Sequence, residues 1–379
     1  MMPTKPLRYA AAVIALIVTA AAVAETRTVR TEYQAITLEQ IAAGLEHPWS
    51  IDFLPDGRML VTERPGYLNI VDTDGQVTRI EGTPEVSALR QGGLLEVLLH
   101  PRFEENRFIY LTYSKDDGSG QTATALARGR LVDDSIQDIE DLYIQERFSD
   151  PGRHYGSKLA WMPDGTLLMS IGDRGVAPDR AQALNDSAGK LLRLNEDGSI
   201  PADNPFLGRD GVLPEIYTYG NRNIQGLIVH PETGSIWSTE HGPRGGDELN
   251  LMQPGGNYGW PAVSRGRDYR TGEQFGDSTR AHPDMIDPVI DWTPSIAASG
   301  LAVLVDDHFP AWQGNLLAGG LRGQQIRRVV FEGGVPVHEE ELIREEIGRI
   351  RDVRVGPDGN IYVLTDHGDG ALYRISPAG

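Results

Sequence analysis

The stretch SIDFLPDGRMLVTE, residues 50–63, joins two apolar runs through a Pro-Asp-Gly turn, which together predict a β-hairpin. Five further copies of this phrase follow along the chain. They are LEVLLHPRFEENRFIYLTY, LAWMPDGTLLMSIGD, GLIVHPETGSIWSTE, LAVLVDDHFPAWQGNLLAGG and VRVGPDGNIYVLTD, beginning at residues 95, 159, 226, 301 and 353. A phrase repeated in this way indicates an array of similar structural units.

The spacing of the copies predicts how the units assemble. Their turn prolines, from Pro55 to Pro357, are 46 to 79 residues apart, and four-stranded antiparallel sheets repeated at this period close radially. We therefore predict an all-β, six-bladed β-propeller in one domain, residues 25–379. The last copy has sequence for only about three strands, so an N-terminal strand from residues 27–40 is expected to close the ring. The longer spacings predict insertion loops at 176–212 and 264–290.

The N-terminus has the three-part form of a secretory signal peptide. Lys5 and Arg8 precede an apolar run that ends in Ala-Val-Ala at 22–24. We expect residues 1–24 to be removed on export, which leaves a mature protein without a membrane insertion. The chain has no cysteine, so disulfides and thiolate metal sites are excluded. Export without disulfides fits a periplasmic location.

The charge balance limits the partners. The chain has 54 Asp and Glu against 35 Lys and Arg, a net charge of −19. Such a chain is not expected to bind nucleic acid or an anionic membrane surface. An anionic ligand would need a local cluster of arginines.

Propeller geometry predicts where that cluster lies. The innermost strand of every blade runs in the same direction along the central channel, so the residues just upstream of these strands meet at one end. A histidine among arginines at such a point is a candidate general base, and the arginines can bind carboxylates or pair with blade aspartates such as Asp352. No phosphate-binding loop supports a nucleotide, which leaves a small polycarboxylate. The residues concerned are Gln91, His154, Arg222, Asn223, Gln225, Ser299, Arg349 and Arg351.

A second dense segment, STEHGPRGGDELNLMQPGGNYGWP at 238–261, is rich in glycine, proline and oxygen donors. Turns with fixed backbone carbonyls beside Asp247 and Glu248 suit Ca²⁺, although the spacing is not that of an EF-hand. A glycine-rich loop beside a blade is also commonly structural.

Several of these segments together resemble the soluble PQQ-dependent sugar dehydrogenases, and in particular their aldose sugar dehydrogenase branch. The resemblance covers residues 38–377. The segments that carry it are QGGLLEVLLHPRF, GKLLRLNEDGSIPADNPF, YGNRNIQGL, EHGPRGGDELNLMQPGGNYGWP and RIRDVRVGPDGNIYVLTD. It implies a PQQ- and Ca²⁺-dependent enzyme that oxidises aldose sugars to lactones and passes electrons to an external acceptor.

The resemblance also implies roles for individual residues. His154 resembles the catalytic base, with Gln91 beside it, and Arg222 and Asn223 resemble contacts to the quinone end of the cofactor. The family's basic groups that hold the cofactor carboxylates are matched in this chain by Arg322, Arg349 and Arg351. Backbone carbonyls of Gly242 and Pro243 resemble the ligands of the catalytic Ca²⁺. A second, structural Ca²⁺ site is matched by Glu248 and the Tyr258 backbone.

One position departs from the family pattern. Glucose dehydrogenases of this family place an aspartate directly before the catalytic histidine, whereas this chain has Arg153. We therefore expect an open site that accepts several aldoses. Two alternatives use the same architecture: a Ca²⁺-dependent lactone hydrolase, which has no need of the arginines, and a propeller that binds a ligand without catalysis.

Overall fold

Twenty-five β-strands form six antiparallel sheets in the computed structural model, which describes residues 26–150, 152–276, 280–305 and 307–379. The predicted signal peptide, residues 1–24, lies outside the described residues. Helical structure in the described part is limited to three short segments: α1 (Phe103–Asn106) and the 3₁₀ turns Pro178–Gln182 and Pro310–Trp312.

Each of the first five sheets is one blade of four strands that follow one another in sequence. The first blade contains β3 (Pro48–Phe53), β4 (Met59–Glu63), β5 (Tyr67–Val71) and β6 (Val77–Ile80), and the second contains β7 (Leu94–Leu99), β8 (Phe108–Asp116), β9 (Thr122–Val132) and β10 (Ser135–Ile144). The third contains β11 (Leu159–Trp161), β12 (Leu167–Ile171), β13 (Lys190–Leu194) and β14 (Ile216–Tyr219). The fourth contains β15 (Ile224–Val229), β16 (Ile236–Glu240), β17 (Asp247–Met252) and β18 (Ile290–Trp292). The fifth contains β19 (Ala298–Val303), β20 (Leu316–Gly320), β21 (Gln325–Glu332) and β22 (Val335–Leu342).

The sixth blade joins the two ends of the chain. It contains β23 (Ile350–Val355), β24 (Ile361–Thr365) and β25 (Gly370–Pro377), and β2 (Ala35–Leu45) pairs antiparallel with β25. The predicted closure by an N-terminal strand is therefore confirmed. This blade has a fifth strand, β1 (Thr26–Arg30), on its outer edge.

The repeated phrase forms the two inner strands of each blade. The first strand of each copy lies on the central channel, where β3, β7, β11, β15, β19 and β23 contact one another in turn around the ring. The second strand, such as β4 or β12, is buried along its whole length. Because both faces of this strand are covered by neighbouring blades, apolar residues occupy successive positions in it rather than alternate ones, as in Met59, Leu60 and Val61 of β4.

The core lies between the blades. In the described part of the chain, six main apolar clusters each join two successive sheets. One example packs Leu68 and Ile70 of the first blade against Val97 and Leu111 of the second. A blade therefore cannot bury its apolar faces without its neighbours, so the ring holds the channel residues in fixed positions.

The two predicted insertions differ in outcome. The described residues 264–276 and 280–289 lie between β17 and β18 and contain one β-bridge, between Arg267 and Gln274. The stretch 176–212 is only partly an insertion, because Lys190–Leu194 within it is strand β13 of the third blade. Without these residues the third blade would have only three strands, β11, β12 and β14, so its remaining strand had to come from the predicted insertion.

Candidate active site

A cavity of about 210 Å³ lies at one end of the channel. Each blade contributes to its wall, either from the innermost strand or from the segment just before it. One lining residue from each blade in turn is Trp49, Gln91, Gly156, Gln225, Ala297 and Arg351. As predicted, the segments just upstream of the innermost strands meet at one end of the channel.

Two predicted site residues, His154 and Arg222, do not themselves line this cavity. His154 directly precedes the lining residues Tyr155 and Gly156, and Arg222 directly precedes the lining residue Asn223. The His154 ring is almost buried, with the residue 8% exposed, and Nδ1 is 2.6 Å from Oδ1 of Asp173. Because the Asp173 carboxylate accepts a hydrogen bond from Nδ1, neutral His154 carries its hydrogen on Nδ1 and its lone pair on Nε2. Burial lowers the pKa of His154, with the charge of Arg222 acting in the same direction and Asp173 opposing both. His154 is therefore a neutral imidazole at neutral pH.

Asp173 is fixed by three further hydrogen bonds. Its Oδ1 accepts a hydrogen bond from the backbone N–H of Gly175 at 2.8 Å, and its Oδ2 accepts one from Nε1 of Trp260 at 2.7 Å. Its own N–H donates to the carbonyl of Arg222. Although burial opposes ionisation, the hydrogen bond and charge of His154, then the charge of Arg222, keep the pKa of Asp173 lowered. The carboxylate can thus orient the imidazole in one tautomer.

The backbone around His154 is held from two other blades. Oε1 of Gln91 accepts the His154 N–H at 2.9 Å, and Oδ1 of Asn223 accepts the Gly156 N–H at 3.0 Å. His154 has a φ of 57°, in the left-handed region. A methyl group on Gly172 would lie 2.1 Å from the His154 carbonyl oxygen, so only glycine permits this approach.

Arg222 lies between the histidine and the glycine-rich loop. Its guanidinium donates to the carbonyl of His241 at 2.9 Å and stacks over Trp260, with 5.1 Å between Cζ and the ring centroid. Its backbone N–H donates to the carboxylate of Glu240. Arg222 is 7% exposed, and its cation lies close enough to act on the pKa of His154.

The opposite wall of the cavity holds three guanidinium groups against one carboxylate. Arg351 and Arg349 lie 2.9 Å and 3.3 Å from Oδ2 of Asp366, and Arg351 also donates to Gln225 at 3.1 Å. Although burial opposes ionisation, the charges of Arg351 and Arg349 hold the pKa of Asp366 well below its usual range. Arg64, the third group, donates to the Arg90 carbonyl at 2.6 Å and makes no ion pair with any described residue. This wall therefore carries a net positive charge.

Several buried side-chain nitrogens around the cavity have no hydrogen-bond partner among the described residues. They are the donor Nε atoms of Arg64, Arg222 and Arg351, and the ring Nε2 of His241. Leaving a buried polar atom unpaired costs about 1–3 kcal/mol, so these atoms mark a place where an acceptor-rich ligand would fit.

Arg322 is the one predicted carboxylate-binding residue that does not line this cavity. It is exposed, and its backbone N–H donates to Ile296. The preceding residue, Leu321, lines the cavity instead.

Gly242 and Pro243 lie in a tight turn beside the cavity residue His241. A methyl group on Gly242 would lie 2.1 Å from the carbonyl oxygen of Gly246 and 2.3 Å from that of Gly245, so backbone oxygens crowd this turn. The Pro243 carbonyl accepts a hydrogen bond from Arg267 at 2.6 Å. Buried Asp247 fixes the turn, because Oδ1 accepts the Gly242 N–H at 2.9 Å and Oδ2 accepts the Ala297 N–H at 2.6 Å.

Glu248 is on strand β17, directly opposite Glu240 on the neighbouring strand β16. Burial, and then the charge of Glu240, raise the pKa of Glu248 to about 8. No lysine or arginine of the described chain forms an ion pair with either carboxylate. Tyr258 is buried nearby, its N–H donating to Tyr219 and its hydroxyl to Leu251.

Sequence reasoning missed several residues that shape the site. They are Trp49, Arg64, Asp173, His241, Trp260 and Asp366. Arg64, Asp173, His241 and Asp366 share one signal, because each follows the second strand of a repeated phrase. That strand is antiparallel to the innermost one, so its end reaches the same mouth as the beginning of its partner.

In the described part of the chain, the structure has no apolar helix of the length needed to cross a bilayer. Among the same residues, three or more His, Asp or Glu side chains nowhere gather as a metal-binding group. The Ca²⁺ sites implied by the sequence would depend largely on backbone carbonyls.

Comparison with known proteins agrees with the fold. The chain is 39% identical to aldose sugar dehydrogenase YliI of Escherichia coli over 349 residues, covering 90% of this chain and 93% of that protein. It is 28% identical to quinoprotein glucose dehydrogenase B of Acinetobacter calcoaceticus, covering 86% and 84% of the two chains. The crystal structure of the soluble aldose sugar dehydrogenase from Escherichia coli in the apo-form superposes with a TM-score of 0.87, at 38% identity, over 90% of this chain and all of that one.

The family model for glucose/sorbosone dehydrogenases matches residues 45–374, which span all six blades. The chain belongs to the glucose/sorbosone dehydrogenase family.

Proposed function

We propose that the protein is a PQQ- and Ca²⁺-dependent aldose dehydrogenase, which oxidises aldoses to lactones and passes the electrons to an external acceptor. The family supports activity on a sugar, and the relative from Acinetobacter calcoaceticus is named a quinoprotein. The observation that carries the proposal is a neutral histidine, oriented by Asp173, which directly precedes two lining residues of a cationic cavity with unsatisfied buried donors.

The cavity fits a small, planar polycarboxylate. Arg64, Arg349 and Arg351 offer more positive charge than Asp366 neutralises, and guanidinium groups bind carboxylates in pairs of hydrogen bonds. Trp49, Leu95 and Tyr155 give the wall an apolar surface against which a ring system can lie. These residues would hold the carboxylate side of PQQ. Arg322, which is exposed and does not line this cavity, stays a prediction as a further carboxylate-binding group.

The glycine-rich turn fits a hard cation. Carbonyl oxygens of Gly242, Pro243 and their neighbours are the ligand type that Ca²⁺ prefers, and they lie next to cavity residue His241. Glu248 and Glu240 form a separate pair of carboxylates without a counter-ion in the described chain, which fits a second, structural Ca²⁺ near Tyr258.

The chain's own residues provide proton removal and charge stabilisation. When bound, PQQ supplies the oxidant, which accepts a hydride from the anomeric carbon of the sugar. Nε2 of His154 takes the proton of the anomeric hydroxyl, and Asp173 stabilises the imidazolium that forms. Arg222, which is fixed by His241 and Trp260, offers a cation for developing negative charge.

Reconstitution tests this proposal directly. The purified protein is titrated with PQQ in Ca²⁺ while quinone absorbance is recorded, and the loaded protein is then assayed for aldose-dependent dye reduction and lactone formation. We expect saturable binding near one PQQ per chain and turnover of several aldoses. Lactone hydrolysis without PQQ binding, or PQQ binding without aldose-dependent dye reduction, would contradict it.

We also propose that residues 1–24 are a signal peptide and that the mature protein is periplasmic. The support is the arrangement of Lys5, Arg8 and the apolar run that follows them. N-terminal sequencing of protein from a periplasmic extract is expected to begin at Glu25. Recovery of the full-length chain from the cytoplasm would contradict the proposal.

A further inference from the structure

Two arginine side chains near the cavity are used neither by the fold nor by the proposed cofactor. Arg90 and Arg153 are both exposed, and neither forms an ion pair with any residue in the described ranges. Other exposed arginines of the described chain, such as Arg30 and Arg209, are likewise without an ion pair, so the position beside His154 is what sets Arg90 and Arg153 apart. In a chain of net charge −19, this position carries two cations without counter-ions in the described chain.

Arg153 is fixed beside the proposed base. It precedes His154 in the chain, and its side chain lies on Gly175, where a methyl group would be 2.7 Å from Cγ and 2.9 Å from Nε. Gly175 is the residue whose N–H binds Asp173. The Arg153 carbonyl accepts a hydrogen bond from Arg174 at 2.7 Å, and Arg174 itself stacks on Tyr155. The Arg153 side chain therefore lies on the turn that binds Asp173.

Arg90 reaches the same place from the neighbouring blade. Its Nη1 and Cδ lie 3.8 Å and 3.7 Å from the position of a methyl group on Gly152. The next residue, Gln91, binds this segment twice, because its N–H donates to Gly152 at 3.0 Å and its side chain accepts the His154 N–H. Arg90 and Arg153 thus flank one short segment that ends at the base.

The cations deeper in the cavity have other partners under the proposed function. Arg349 and Arg351 contact Asp366, and with Arg64 they face the space assigned to the cofactor carboxylates. Arg90 and Arg153 do not line that space, and both lie beside the segment that leads into His154. Their charge would act on an anionic group of a sugar held at His154.

We infer that these two arginines recognise an anionic aldose, and specifically a hexuronate. Its C6 carboxylate would lie against Arg153 and Arg90 while its anomeric hydroxyl faces His154. This inference rests on the proposed function and narrows its substrate class. The oxidation at the anomeric carbon is the same as for an uncharged aldose. The inference adds only the recognition of a carboxylate on the other side of the sugar ring. Two guanidinium groups match a carboxylate in charge and in hydrogen-bond geometry.

A kinetic comparison tests the inference. Galactose and galacturonate are compared as substrates of the PQQ-loaded protein, with an uncharged and an anionic electron acceptor. We expect a kcat/KM at least about tenfold higher for galacturonate at low ionic strength, and a smaller preference at high salt. Arg153→Gln should lower the ratio of the two values about tenfold, the loss of one charge-assisted hydrogen bond. Arg30→Gln, which removes an exposed and unpaired arginine on the outermost strand β1, should leave the ratio unchanged.

Binding without turnover gives a second readout. The methyl glycosides of galactose and galacturonate cannot be oxidised at the anomeric position, so calorimetric titration of the loaded protein measures recognition alone. We expect tighter binding of the galacturonoside, and loss of that difference in Arg153→Gln.

The outcomes separate the possible failures. Equal kcat/KM for the two sugars, equal binding of the two glycosides, or an Arg153→Gln effect that follows the acceptor rather than the sugar would overturn the inference while leaving aldose oxidation intact. Absence of turnover with both sugars in protein that binds PQQ would instead overturn the proposed function, and the inference with it.

Discussion

Nδ1 of His154 donates to Oδ1 of Asp173 over 2.6 Å, and this pair joins the entry of the innermost strand of one blade to the end of the second strand of the same blade. The hydrogen bond sets the tautomer of the imidazole, while burial of the ring keeps it neutral. A base with its lone pair directed away from its carboxylate partner is suited to removing a proton from a hydroxyl group.

Replacing His154 should separate cofactor binding from turnover. In His154→Ala the arginine wall and the glycine-rich turn are unchanged, so PQQ binding should stay within about threefold of the wild type. Turnover of aldoses should fall by about 10²–10⁴, the usual contribution of a general base. Absorbance titration and steady-state dye reduction measure the two quantities, and Arg30→Gln is the control. Turnover within a few-fold of the wild type would show that another group takes the proton.

The acid limb of the pH profile reports the state of His154. Because its pKa lies below the usual value of 6.5, the free base persists as the pH falls below 6.5, and kcat/KM should decline only at lower pH. In Asp173→Asn the carboxylate that raises the pKa of His154 is gone, so the limb should move to lower pH. The plateau should also fall by about 10²–10⁴, since the tautomer is no longer fixed.

A structural role alone would give a different result for Asp173→Asn. Reduced activity with an unchanged pH midpoint would contradict the assignment of Asp173 as the residue that orients and tunes His154.

Arg351 should contribute to cofactor affinity. Its side chain is 10% exposed and is held in the cationic wall by its contacts with Asp366 and Gln225. Loss of a charge-assisted hydrogen bond costs about 1.5–3 kcal/mol, so Arg351→Gln should raise the Kd for PQQ by about 10- to 100-fold. Fluorescence titration measures this, and a urea melt checks that the variant is folded. An unchanged Kd would place the carboxylate-binding wall elsewhere.

Lys158 should matter for stability. Its Nζ lies 2.8 Å from Glu96 and 3.0 Å from Asp352, and all three side chains are at most 2% exposed. Lys158→Met leaves two buried carboxylates with Arg354 as their remaining cation, so the free energy of unfolding should fall by about 3–5 kcal/mol. Urea unfolding is the measurement.

The matched control for Lys158 is Lys115→Met, which removes an ion pair with Asp141 at the partly exposed outer surface. Its effect on the free energy of unfolding should stay below about 1 kcal/mol. Similar losses in the two variants would contradict a special role for the buried cluster.

The sequence predicts the architecture well because every blade repeats the same hairpin. Six prolines in equivalent turns are enough to predict six sheets, and a last copy with too few strands predicts closure by an N-terminal strand, later found as β2 beside β25. The additional strand β1 carries no repeat signal. It pairs with β2 at the outer edge of the sixth blade, and its own residues are exposed or half-buried.

The candidate site was predictable only in part. Residues before the innermost strands, such as Gln91 and His154, follow from the direction of those strands. Trp260 could not be found, because its bond to Asp173 joins loops that are 87 residues apart and have no shared pattern. Arg322 lies in the turn after β20, and in this turn the preceding residue, Leu321, lines the cavity. The assigned roles of the site residues stay predictions.

A crystal structure of the protein loaded with PQQ and Ca²⁺ tests the central claim most directly. The account predicts one PQQ in the channel cavity, with its carboxylates on Arg64, Arg349 and Arg351 and its quinone end between Arg222 and Nε2 of His154. A cofactor bound outside this cavity, or one whose quinone end lies far from His154, would contradict it.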